Sequence, residues 1–278
     1  MVQLPHQPEG TGASPRHARR ILVPGRRDGR GEDHPISWCH KYRGGRAFYT
    51  GFGHTKESYT DPAFRQHLLG GIRYATGAAH ADCRPEQGYR PLFDGTSTDG
   101  WKQAGPGAFT LDPATGTLTS TGGMGMLWYE ARELHAYSLK LDWKMAGDDN
   151  SGVFVGFPPS DDPWSAVNNG YEVQIDATDT PDHTTGSVYG FQSADLAKRD
   201  AALNPPGEWN TYEIRVEGER LRIWLNGVQI NDFTNPDPAR SLLQGYVGIQ
   251  NHGDGDEVSF RNIRVKDLPV RGGGHHHR

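Results

Sequence analysis

The sequence predicts a mainly β chain: an antiparallel β-sandwich or jelly roll over residues 91–268, preceded by a small α+β segment. Three observations carry this. About a dozen short runs rich in β-branched and aromatic residues recur from Pro91 onward, punctuated by Gly, Pro, Asn and Asp. The chain holds 37 Gly and 19 Pro in 278 residues, a turn-rich composition that argues against a helical bundle. Leu225-Asn226-Gly227-Val228 sets Asn-Gly between alternating runs. That pair supplies both left-handed residues of a type I′ turn, the strongest short-range hairpin signal.

Taken in order, residues 1–32 are dominated by Pro, Gly and Arg and contain no Lys. They are predicted to be disordered, with Arg20–Val23 the one run suited to a short strand and a basic partner-binding arm the functional alternative. Residues 33–82 read as ordered. Gly45–Thr50 suits a strand, and Asp61-Pro62 opens a helix because Asp61 can cap free N–H groups while Pro62 loses nothing at the first helical position. Phe64, Leu68, Leu69, Ile72 and Tyr74 continue it amphipathically, and Gly77 ends it. Residues 83–90 read as a linker. The predicted strands are then 108–111, 117–120, 126–129, 137–144, 152–157, 171–176, 187–191, 209–217, 220–225, 228–233, 245–251 and 257–265. Residues 269–278 read as a disordered tail, with His275–His277 too short for a metal-binding tract.

Several function classes find no support. Net charge is −5, with arginines concentrated in residues 1–85, but that part lacks aromatic interleaving or a nucleic-acid motif. No run approaches the roughly 18 apolar residues of a membrane span. The start lacks an apolar h-region, so no secretory signal is read. Cys39 and Cys83 stand alone, and neither a zinc site nor a disulfide framework is expected.

The chemistry concentrates in Tyr171-Glu172-Val173-Gln174-Ile175-Asp176. Strand side chains alternate faces, so Tyr171, Val173 and Ile175 point one way, and two carboxyls flanking a carboxamide point the other. In 245–252, Val247 and Ile249 fill one face while Tyr246, Gln250 and His252 lie on the other. Two strands with this inventory predict one polar, aromatic-lined site. A solvated strand face is the plainer reading of the first run, and a hydrogen-bonding turn residue the plainer reading of His252.

Two family resemblances follow from quoted motifs. Asp33–Trp38, Gly45–Thr55 and Asp61–Ile72 together resemble the C-terminal end of a trehalose-utilisation (ThuA-like) domain, which implies part of a doubly wound α/β fold. The Arg/Pro-rich start is then expected to be an out-of-frame or misassigned beginning. His54 would face that family's pocket and is read as structural here. Further on, Pro91–Trp101, Asp149–Val155, Gly170–Asp176, Thr185–Tyr189, Gly207–Asn210, Leu225–Gly227 and Gly248–Gly253 occur in the order that resembles the 3-keto-disaccharide hydrolase domain family. This implies a concanavalin A-like, laminin-G-like sandwich acting on 3-keto-glycosides, with an oligosaccharide or keto-sugar as substrate and a sugar 3-dehydrogenase as pathway partner. Relatives of this domain are frequently exported. The family often has Arg where this chain has Gly156; the Gly is expected to admit the substrate or a side chain from elsewhere.

Ordinary glycoside hydrolysis needs two carboxyls about 5–9.5 Å apart. Glu172 and Asp176 are separated by about 13 Å at Cα on an extended strand. The Glu-x-Gln-x-Asp order also resembles the Glu-x-Asp-x-Glu strand of laminarinase-like glucanases, but with the middle acid replaced by an amide. A 3-keto sugar asks for less, because the ketone acidifies the C2 proton: one base, one acid and a polariser suffice. Glu172 and His252 are the expected acid/base pair. Asn150, Gln174 and Gln250 are expected to hold hydroxyls or the enolate oxygen, and Asp176 to orient a partner or bind a cation. Trp164, Tyr189 and Trp128 are expected to stack on a sugar face. The loop Asp148-Asp149-Asn150 is a candidate for Ca²⁺, with a plain turn the alternative. The competing reading is a non-catalytic carbohydrate-binding module, followed by an adhesion-type laminin-G module, since one sandwich hosts all three.

Overall fold

In the computed structural model, residues 36–270 are described; the predictions for residues 1–32 and for His275–His277 lie outside them. The chain opens with a hairpin, β1 (Ser37–Tyr42) and β2 (Gly45–Thr50), followed by α1 (Pro62–Thr76). The hairpin turns on Arg43 and Gly44, both with positive φ. Asp61 caps α1 by accepting the Phe64 N–H at 2.9 Å, and Gly77 ends it in the left-handed region. A side chain at Gly71 would overlap the Phe48 ring, so the glycine lets α1 lie close on β2. His67 fixes the same contact through Ser37 Oγ and Thr50 Oγ1.

The remaining strands are β3 (Arg90–Pro91), β4 (Trp101–Ala104), β5 (Ala108–Asp112), β6 (Thr117–Thr121), β7 (Gly125–Tyr129), β8 (Tyr137–Met145), β9 (Asn150–Phe157), β10 (Tyr171–Asp176), β11 (Asn210–Glu217), β12 (Arg220–Leu225), β13 (Val228–Thr234), β14 (Tyr246–Asn251) and β15 (Val258–Asp267). They form two antiparallel sheets, ordered β10-β9-β14-β7-β4 and β13-β12-β11-β8-β15-β6-β5, with β3 on β15. The predicted sandwich is therefore present. Its core lies between the sheets: Val153, Val173, Ile175, Val247 and Ile249 from one meet Leu139, Leu141, Trp143, Ile214 and Phe260 from the other. Each such burial is worth about 1.5–3 kcal/mol, and the pattern sets which residues are left for the other faces. Asn226 and Gly227 take φ values of 48° and 83° between β12 and β13, as the hairpin signal predicts.

Several expectations need correction. Residues 187–191 are not a strand. Val188 bridges Val173 and Gln192, and the chain turns back at Gly190, where φ is +75°. Two helices went unpredicted, α2 (Pro163–Asn169) and α3 (Leu196–Ala202), each capped by an Asp side chain. Of the two alternatives at Gly156, it is a side chain from elsewhere, Leu242, that comes against it. The glycine's φ is +69°, it sits where the β9–β14 register shifts, and a Cβ there would meet Leu242 at 2.8 Å. Cys39 and Cys83 form a disulfide. Separation along the sequence hid it, because β1 and the segment after α1 meet only in the fold.

That disulfide enters an ordered strap. Arg84 pairs with Asp82 and Glu213, Lys140 pairs with Asp82 at 3.0 Å, and Glu86 pairs with Lys140 and Arg264. Tyr89 meets Ser138 Oγ at 2.8 Å. Lys140 is 2% exposed, so losing one of its partners would strand a buried charge. Closing a loop over a sequence separation of 44 is worth about 4 kcal/mol in the chain-entropy treatment. The Cys39→Ser/Cys83→Ser double variant is therefore expected to melt several degrees lower than the oxidised protein. Differential scanning calorimetry with and without reductant checks this, and reductant is expected to change only the wild type.

Candidate functional site

The face of the five-stranded sheet turned away from the core carries the polar residues. Registration aligns Glu172 with Phe154, Gln174 with Gly152, and Asp176 with Asn150 across β10 and β9. On the other side of β9, Gly248 of β14 pairs with Phe154 and Ile249 with Val153, which brings Gln250 beside Gly152. Gly152 thus lies between two carboxamides and diagonal to a carboxyl. A Cβ on Gly152 would overlap the Glu172 carboxylate, so the missing side chain makes the space that the carboxyl fills.

A cavity of about 280 Å³ opens there. Glu172, Gln174, Asn150, Gln250, His252, Tyr189 and Trp164 all line it, with Phe154 and Pro163 among the apolar walls. Asp176 is not in the lining. It stands one step beyond and accepts from Asn150 Nδ2 at 2.9 Å. Trp164 is 55% exposed at the start of α2, and Tyr189 stacks on His183 with ring centroids 4.4 Å apart. The segment carrying Tyr189 runs along the free edge of β10, where Tyr189 N–H donates to the Glu172 carbonyl. Trp128 was expected as a sugar platform but is 2% exposed. It packs edge-on against Phe157 and Tyr246 beneath the site.

Four side-chain oxygens of this face are buried without a hydrogen-bond partner: Asn150 Oδ1, Glu172 Oε1, Gln174 Oε1 and Gln250 Oε1. Leaving such atoms unpaired costs about 1–3 kcal/mol each, so their gathering round one cavity marks a place built for donors from outside. The cavity lining contains no Lys or Arg. Burial, with no cation to offset it, pushes the Glu172 carboxyl up to about 8. Burial also raises Asp176, aided by Asp179 and Asp148 and opposed by the Thr178 N–H and His252.

Sequence reading missed Asp256. Its Oδ2 lies 2.7 Å from His252 Nδ1, and its Oδ1 accepts the Asn150 N–H at 2.9 Å. The signal was present four residues after His252, but a strand pattern assigns no partner inside the following loop. In the candidate Ca²⁺ loop, Asp148 accepts from Thr178 Oγ1, and Asp149 accepts from the Glu257 and Gly147 N–H groups. Among the described residues no group of three or more His, Cys, Asp or Glu gathers to hold a metal. No helix among them is long and apolar enough to cross a membrane.

The model of the 3-keto-alpha-glucoside-1,2-lyase-like domain matches residues 88–266, and that of trehalose utilisation matches residues 13–75. A protein named 3-keto-disaccharide hydrolase from Bacteroides thetaiotaomicron is 28% identical over 232 residues, covering 65% of this chain and 79% of its own. Two solved structures of proposed glycosyl hydrolases from Parabacteroides distasonis share the fold, each with a TM-score of 0.55. They are 23% and 24% identical, covering 66% and 65% of this chain and 95% and 99% of theirs.

A carboxyl whose folded-state pKa is raised binds its proton more tightly folded than unfolded. Its contribution to stability is therefore full below about pH 4.5 and falls as pH rises toward 8. Glu172→Gln is expected to abolish that fall. The variant should melt higher than wild type at pH 8, and the gap should close toward pH 4, as read by thermal denaturation across that range.

Proposed function

The chain belongs to the 3-keto-alpha-glucoside-1,2-lyase-like domain family, and from that premise we propose that it cleaves 3-keto-glycosides, 3-keto-disaccharides among them, by general acid/base chemistry at this cavity. The observation that carries the reading is the set of four unpartnered buried oxygens around one pocket. Sugar hydroxyls are donors of the kind such a set takes, and Trp164 and Tyr189 supply the aromatic faces that sugar rings pack against.

A single carboxyl in the cavity lining argues for an eliminative route. Asp176 is engaged by Asn150 outside the cavity lining, which leaves Glu172 as the one carboxyl in the lining. A base removes the proton from C2, and the electron pair left on C2 delocalises into the C3 ketone. The enolate then forms the C1–C2 double bond as the C1–O bond breaks, and an acid protonates the leaving oxygen. Water adds back to C1 and a proton returns to C2, so the sum is hydrolysis. The amide groups of Gln174 and Gln250 can turn their N–H groups toward the enolate oxygen, because amide orientation follows the partner offered, while Asn150, whose Nδ2 is held by Asp176, offers only its oxygen.

Incubation with a 3-keto-disaccharide and with its unoxidised parent tests this. Turnover of the keto form alone is expected, with solvent deuterium entering C2 of the product. Glu172→Gln is expected to lower kcat by about 10²–10⁴-fold. Cleavage of both sugars without C2 exchange would favour direct displacement, and binding of both without cleavage would favour a carbohydrate-binding role.

A further inference from the structure

We infer that Asp256 is the positioning residue that makes His252 the proton-abstracting base of this site. The inference rests on the keto-glycoside reading and divides the acid and base roles within it.

Asp256 is held from several sides. Its Oδ1 takes the Asn150 N–H at the start of β9, its own N–H closes a turn on the Gly253 carbonyl, and the next residue's N–H is bound by Asp149. Its remaining oxygen lies 2.7 Å from His252 Nδ1. An ionised carboxylate has no proton to give, so Nδ1 is the donor in that bond and Nε2 carries the lone pair. The imidazole is on the rim, 52% exposed, and lines the cavity, where a lone pair can reach a substrate proton. When Nε2 takes that proton the ring becomes a cation, and the Asp256 carboxylate stabilises it.

Glu172 suits the opposite role. It is enclosed in the cavity with no cation among the lining residues and keeps its proton at neutral pH. A protonated carboxyl donates, so the C2 proton goes to His252 Nε2 while the Glu172 proton goes to the leaving oxygen. In the hydration half, Glu172 as carboxylate takes a proton from water as the hydroxyl bonds to C1, and the imidazolium returns its proton to C2. Both groups end as they began. The titratable groups around the imidazole are Asp256 and Asp254 on its own loop, Glu172 and Asp176 on β10, Asp148 and Asp149 on the β8–β9 turn, and Tyr189 beyond the edge of β10.

Asp256→Asn separates positioning from support. The amide oxygen can still accept the Asn150 N–H, but the amide N–H₂ facing Nδ1 forces the ring proton onto Nε2. The expected result is a thermal midpoint near wild type, KM within about two-fold, and kcat lowered at least about 100-fold. Asp256→Glu should restore part of the rate. Imidazole ¹⁵N NMR should find the proton on Nδ1 in the wild type and on Nε2 in Asp256→Asn. Wild-type kcat in Asp256→Asn, or an Nε2 proton in the wild type, would overturn the inference. If the wild type cleaves no keto-glycoside, the functional reading fails, and the NMR tautomer alone supports or overturns the positioning by Asp256. If Asp256→Asn unfolds, Asp256→Glu and the wild-type spectrum decide.

Discussion

Gly152 presents no side chain to the outer face of the five-stranded sheet, and the room this leaves is where the Glu172 carboxyl stands. The rest of the site follows from that vacancy. Any larger residue on β9 would push the carboxyl out toward solvent, where its proton affinity would return to the ordinary range. Kept inside, it meets amide oxygens and apolar walls and no cationic side chain of the lining. The fold tolerates this because the other face of the same strands packs Val153, Val173 and Ile175 into a continuous core. Period-2 alternation makes the two faces inseparable: slipping β10 by one residue would bury the acids in the core and expose its aliphatics.

Support for the site comes from hydrogen bonds that cross elements. Asp256 joins the loop after β14 to the start of β9, and Asn150 joins β9 to the end of β10. The Tyr189 segment covers the β10 edge by backbone pairing. These ties fix the polar rim without filling the cavity. On the far side of the sandwich, the strap around Asp82, Arg84 and Glu86 gives Lys140 of β8, Glu213 of β11 and Arg264 of β15 partners of opposite charge. The β1–β2–α1 segment is clipped to that strap by Cys39–Cys83. The sandwich and the segment before it thus share one electrostatic seam.

Local pattern made much of this readable. β10 and β12 occupy the very residues their alternation predicts, and the Asp61-Pro62 start and Gly77 stop of α1 follow from capping chemistry alone. Parity also assigns Glu172, Gln174, Gln250 and His252 to one face, and all four line the cavity. What local pattern could not supply was depth and distance. Trp128 has the composition of a sugar platform, yet lies under Tyr246 and Phe157 because β7 is interior to its sheet. The disulfide joins residues whose proximity is created by the turn of the chain after α1. Gly156 read as room for a substrate or for a side chain from elsewhere; Leu242 lies against it, and its positive φ, which the pattern did not signal, serves a register shift. Asp256 was hidden because loop residues carry no periodicity to mark which way they face.

The most direct measurement of the central claim is a crystal structure of Glu172→Gln soaked with a 3-keto-disaccharide. The keto-sugar ring is expected over Gly152, with its hydroxyls donating to the Asn150, Gln174 and Gln250 oxygens, C2 within reach of His252 Nε2, and the glycosidic oxygen beside residue 172. An ordered sugar bound elsewhere on the sandwich, with the cavity over Gly152 left to water, would contradict it.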